Sequence, residues 1–149
     1  MDDFIYRRSA NSDQQHEKSS LFGEELWMSN NPINLAVRFI LEMVALFSLG
    51  YWGWRVGTGV MRFVLAFLIP ILAAAMWGIF RVPGDASHSG DAPIRVPGII
   101  RLVIEGLLFS SATWAFYNMG QVQVALIFGV MVIAHYILSW DRILWLLRS

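Results

Sequence analysis

Residues 33–54 read INLAVRFILEMVALFSLGYWGW, an apolar run interrupted in its first half by Arg38 and Glu42. At 1.5 Å of rise per residue, about 20 residues in a helix cross a hydrocarbon core of ~30 Å. A helix of that length in the core of a soluble protein would present a polar face, which this stretch lacks. Asn30-Asn31-Pro32 stands just before it, with capping side chains and a proline at the first helical position. The stretch therefore reads as a membrane span.

Working outward, three more stretches of the same kind follow, at 60–80, 98–117 and 122–140. The intervening segments 55–59 and 118–121 are short and glycine-containing, so spans one and two, and spans three and four, are expected to form tight hairpins. The loop 81–97 between the hairpins is rich in Gly, Pro, Asp and Ser. It is bracketed by two copies of one tetrapeptide, Arg81-Val82-Pro83-Gly84 and Arg95-Val96-Pro97-Gly98. Each copy is expected to be an extended segment meeting a turn. The fold class is an all-α membrane protein, a four-transmembrane-helix bundle made of two pseudo-repeated helical hairpins across residues 32–149.

Composition points the same way. Of 149 residues 56% are hydrophobic, above the roughly 45–50% usual for soluble chains, and mean hydropathy is +0.53. The length suits one domain. Eleven basic residues balance eleven acidic ones, so there is no electrostatic case for nucleic acid, which requires a basic face. The absence of cysteine excludes disulfides, thiolate metal sites and cysteine nucleophiles. Residues 1–31 form a polar extension without the apolar region of a cleavable signal, so the first span is expected to act as an uncleaved anchor. Within it, residues 21–28 alternate apolar and polar side chains, as a short interfacial helix or a loose tail with an apolar patch would.

Basic residues set the expected orientation. The side holding both termini and the middle loop carries Arg7, Arg8, Lys18, Arg81, Arg95, Arg142 and Arg148, whereas the other side has Arg55 and Arg62. The positive-inside rule then places both termini in the cytoplasm of a bacterial inner membrane.

The candidate functional residues are the charges inside the spans. Arg38 and Glu42, and again Arg101 and Glu105, lie four residues apart and so share a helix face. Sliding the chain by 63 residues superimposes the two pairs, together with Ser48 on Ser111, Gly57 on Gly120 and Trp77 on Trp140. This is the basis of the proposed parallel repeat. His135, Ser139 and Arg142 share one face of the fourth span if its helix continues, with Asp141 at its cytoplasmic end. An ionised side chain at bilayer depth costs about 2.5–3.5 kcal/mol, so these groups should pair or face the bundle interior. Two readings follow: a polar clamp that fixes helix register, or a site for a solute, a lipid headgroup or a proton.

Other chemistry is weakly signalled. His16 and His88 have no partners at metal-ligand spacing, and no metal site is expected. No cofactor is expected either, the one opening being His135 as an axial ligand to a tetrapyrrole. There is no phosphate-binding glycine loop, no HExxH and no nucleophile elbow. Trp27, Trp52, Trp54, Trp77, Trp140 and Trp145 lie near span ends, as an aromatic belt would.

Several stretches together carry a family resemblance: Asn34 to Phe39 with Glu42, Gly50-Tyr51-Trp52-Gly53, Trp77 to Asp85, Val96-Pro97-Gly98 with Arg101 and Glu105, and His135 to Arg142. Over about residues 32–147 the chain resembles the YrdB-like family, small bacterial membrane proteins of undefined function. The resemblance implies four spans and supplies no reaction. The polar N-terminal extension departs from the short start expected of that family.

On the residues alone, the leading reading is a non-enzymatic protein that binds the lipid bilayer and either a membrane-protein partner or further copies of itself. The runs Ala73-Ala74-Ala75 and Ser110-Ser111-Ala112 would permit close helix approach. The alternative is a small proton- or cation-coupled transporter using Glu42, Glu105 and His135. A membrane-embedded enzyme acting on lipid or quinone, with Glu and His as acid and base, comes third. A transporter requires Glu42 or Glu105 free of its arginine and open to water. An enzyme requires a lateral opening that reaches His135.

Overall fold

The computed structural model describes residues 31–83 and 93–149. The N-terminal extension, with its segment 21–28, and most of the loop 81–97 lie outside the described residues.

Helix α1, Pro32–Val56, begins where the sequence places it: the Asn31 side chain accepts a hydrogen bond from the Ile33 amide at 3.0 Å, and Pro32 occupies the first turn. Helix α2, Met61–Ile79, returns antiparallel after a short turn and keeps Pro70 inside it. Helix α3, Gly98–Asn118, is followed after Met119–Gln121 by α4, Val122–Leu138, and α5, Trp140–Arg148. Among the described residues three helices are long and apolar enough to cross a membrane, and a fourth span results if α4 and α5 are counted together.

Two features depart from the expected elements. The two copies of the tetrapeptide do more than punctuate the loop. Phe80–Arg81 (β1) and Ile94–Arg95 (β2) pair as a short parallel ladder, Phe80 opposite Ile94 and Arg81 opposite Arg95, extended by the Val96 amide donating to the Arg81 carbonyl at 3.0 Å. The arginines that open the two copies thus lie side by side where α2 ends and α3 begins. The second departure is in the fourth span, expected as 122–140. Its helix stops at Leu138, and α5 leaves at 68°. Ser139 at the break exchanges hydrogen bonds with Asn34 of α1, at 2.9 and 3.2 Å. His135, Ser139 and Arg142 therefore do not lie along one continuous helix face.

Helices α1 and α3 form the centre of the molecule. Leu41, Ala45, Ser48 and Leu49 of α1 meet Leu108, Ala112 and Ala115 of α3, with Phe128 and Val132 of α4 closing the other side. These positions recur every three to four residues, so each helix presents one stripe. Small residues set the spacing: Ala45, Ser48 and Ala112 are fully buried, and the Ser48 hydroxyl lies 3.3 Å from the Ala112 carbonyl. Helix α2 packs along α1, and Gly53 allows the approach. A Cβ there would stand 2.7 Å from the Leu65 carbonyl oxygen. Yet α2 buries none of its own residues, and large apolar side chains such as Phe47 and Phe67 are 72% and 66% exposed. In water that surface would be untenable, whereas hydrocarbon solvates it without cost.

Candidate functional site

The start of α1, the end of α2, the start of α3 and the end of α4 meet at one end of the bundle, opposite the hairpin turns. The charged side chains gather there. Arg38 on α1 donates from Nε to Glu42 on its own helix at 2.9 Å and from Nη2 to Glu105 on α3 at 2.5 Å. Arg101 donates from Nε to Glu105 at 2.9 Å. Arg142, arriving on α5, spans both oxygens of the same carboxylate at 3.0 and 3.1 Å. The hydroxyl of Tyr136 on α4 completes the set, 3.3 Å from Glu105 Oε2.

One carboxylate thus receives three guanidiniums. Arg101 is 0% exposed, Glu105 2% and Arg38 5%, so these pairs are formed out of water, where an unmatched charge is prohibitive. Arginine suits this work because its planar fork can donate in several directions at once. Arg101 also reaches sideways. Its Nη1 donates to the carbonyls of Trp77 and Phe80, at 2.7 Å for Phe80, and its guanidinium lies 4.6 Å from the Trp77 ring centroid. A buried arginine of α3 therefore caps carbonyls at the C-terminal end of α2, which a helix cannot satisfy internally.

The structure brings Arg38, Glu42, Arg101, Glu105 and Arg142 into one network. Ser139 joins Asn34 instead, and His135 packs beside the network without a hydrogen bond to it among the described residues. Asp141 sits in the first turn of α5, where a carboxylate suits the helix dipole. Three participants escaped the sequence reading: Tyr136, Asn34 and Trp77. The sequence places Trp77 in the aromatic belt, and nothing in its spacing points to Arg101. Tyr136 follows His135 directly, and that adjacency was the available signal. Among the described residues no three His, Asp or Glu side chains come together as a metal site would require.

The two glutamates, matched by the 63-residue repeat, have unequal surroundings: among the described residues Glu42 accepts from Arg38 at 2.9 Å, whereas Glu105 accepts from Arg38, Arg101 and both terminal nitrogens of Arg142. The other matched positions also diverge. Ser48 is buried against α3 whereas Ser111 is exposed, and Trp77 covers Arg101 whereas Trp140 is 59% exposed.

Helices of this length and apolarity, joined at one end by a buried arginine–glutamate network, define a small helical protein whose helices are long and apolar enough to cross a membrane. The chain belongs to the DUF2568 family, described as "Protein of unknown function", whose model matches residues 36–133. It is similar to "Uncharacterized protein YrdB" of Bacillus subtilis (strain 168), 44% identical over 119 residues, which cover 80% of this chain and 97% of that protein. No solved structure matches it. The matched family region takes in both Arg–Glu pairs and stops short of His135, Ser139 and Arg142.

Proposed function

We propose that this chain is a non-enzymatic component of the bacterial inner membrane. It spans the bilayer four times with both termini in the cytoplasm and acts by associating with a membrane protein or with further copies of itself. The observation that carries this reading is the state of Glu105. Its carboxylate is held by three arginines and a tyrosine, and the cavity beside it measures about 10 Å³, room for about one water molecule. A proton or cation carrier would need that carboxylate free and reachable from water. Glu42 keeps its own arginine, which also speaks against transport.

In this reading α4 is the fourth span, and α5, with its alternating Trp140, Arg142, Leu144 and Leu147, lies along the cytoplasmic surface. The two hairpins form a pseudo-repeat that extends to the paired Arg and Glu residues and no further. Association uses the lipid-facing stripe of α2, where Phe63, Phe67 and Ile71 recur every four residues and all stand exposed. Native mass spectrometry of gently extracted protein tests association. A defined oligomer or a stoichiometric membrane-protein companion is expected, and a bare monomer under every mild extraction condition would overturn the reading.

Topology has its own test, made clean by the absence of cysteine. Thr58→Cys lies in the exposed turn between α1 and α2, and Ser149→Cys at the exposed C-terminus. An impermeant thiol reagent added to intact cells is expected to label the first variant only. Labelling of the second from outside would reverse the orientation.

A further inference from the structure

Arg38 and Arg101 stand at equivalent places 63 residues apart, but they use their donors differently. Arg101 Nη1 is taken by the carbonyls of Trp77 and Phe80. By the repeat, Arg38 Nη1 would meet the carbonyls of Trp140 and Ile143, but the chain breaks at Ser139 and α5 swings away by 68°. Arg38 Nη1 is left buried without a hydrogen-bond partner among the described residues. Arg38 is one of the residues lining a small polar cavity, with Glu105, His135, Ser139 and Arg142.

His135 forms the wall between that cavity and a much larger groove. The groove, about 410 Å³, runs between the start of α1 and the end of α4 and is open on its outer side. Asn31 and Asn34 stand at its mouth, while Val37, Met131 and Leu138 line its apolar length. His135 is 7% exposed, and its ring nitrogens have no hydrogen-bond partner among the described residues. A nearly buried imidazole that lines an apolar groove is placed to hydrogen-bond a group entering from outside the chain. The unmatched guanidinium edge behind it favours an acceptor that carries negative charge. The depth is also specific: the polar mouth lies where two spans begin and end, at the level of the headgroups.

We propose that this groove binds a phospholipid, a phosphate oxygen of the headgroup accepting a hydrogen bond from the His135 imidazole and one acyl chain lying along Val37, Met131 and Leu138. The site is independent of any protein partner. It differs from the larger groove between α3 and α4, about 670 Å³, whose lining includes Trp114, Leu126 and Ile133 but neither a histidine nor an asparagine. Lipid there is expected to exchange without regard to its headgroup.

The test is native mass spectrometry of the full chain in detergent, titrated with dioleoyl phosphatidylglycerol or with dioleoylglycerol, which has the same tails and no phosphate. One phosphatidylglycerol per chain is expected to survive activation that strips dioleoylglycerol. His135→Leu should lower its retention about tenfold or more, the loss expected for one hydrogen bond to a charged group, and Ala134→Phe should lower it comparably by filling the groove. Leu126→Phe, in the other groove, should leave it unchanged. Ala134 is exposed and lines the groove, so its replacement decides the matter even if His135→Leu fails to fold. Equal retention of the two lipids, undiminished retention in Ala134→Phe, or a quinone held in the groove in place of phospholipid would each overturn the proposal.

Discussion

Replacing Glu105 by Gln is expected to destabilise the purified protein by about 3–5 kcal/mol, the range seen when one member of a buried ion pair is removed. The substitution is nearly isosteric, so the cost is electrostatic. Arg38, Arg101 and Arg142 all lose the charge they share. The same change at Glu42 is expected to cost less, about 1.5–3 kcal/mol, because Glu42 holds a single nitrogen of Arg38, which retains Glu105. Arg38→Leu alone leaves Glu42 buried without its arginine, whereas Arg38→Leu with Glu42→Leu removes a neutral pair. The double variant should therefore melt above the single one. Thermal denaturation of the four variants and the parent in one detergent measures the order. A Glu105→Gln protein as stable as the parent would mean that the acid is already protonated in the folded state. The clamp would then give way to the proton-site reading, since Gln mimics a protonated carboxyl.

The second large effect is expected at Gly98, the first residue of α3. A Cβ built there would stand 1.8 Å from the carbonyl oxygen of Leu146 in α5. That neighbour is backbone and cannot rotate aside. The Gly98 amide also approaches the Ser149 carbonyl at 3.4 Å, and Leu146 is fully buried. Gly98→Ala must therefore lift α5 from α3 or displace the start of α3, and overpacking of this kind costs about 1–3 kcal/mol or more. Lifting α5 also withdraws Arg142 from Glu105, so the melting temperature should fall further than a methyl group alone would explain. A cysteine introduced at Leu146 reports the movement directly. It should resist a thiol reagent in the parent background and react in the Gly98→Ala background. Equal protection in both would show that α3 and α5 tolerate the methyl group, against the contact described.

These two positions show how far the sequence could be read. The Arg–Glu pairs were legible because a charge inside an apolar run is conspicuous, and a spacing of four residues places both groups on one face. Both pairs do form within their own helices, each at 2.9 Å. The concentration of arginines on Glu105 was not legible. From spacing alone Glu42 and Glu105 are interchangeable, and only the contact between α1, α3 and α5 makes one of them the shared acceptor. Gly98 was read as part of a turn where a helix starts. Its close contact with Leu146 joins residues 48 apart in sequence, and no local pattern encodes it.

What the sequence determined by itself is the first three helices with their ends, and the start of the fourth. Length, apolarity, the Asn31 cap, Pro32 and the short glycine-containing turns are local properties, and local hydrogen bonding in a low-dielectric surrounding leaves a long apolar segment little alternative to a helix. What only the tertiary structure decided is where each charged side chain finds its partner. It also decided the break at Ser139 that turns Arg142 onto Glu105 and leaves His135 facing a groove. Both depend on which helices lie side by side. In this chain that choice rests on small residues at crossing points, Ala45 and Ser48 against Ala112 and Gly98 against Leu146, whose meaning appears only once their partners are in place.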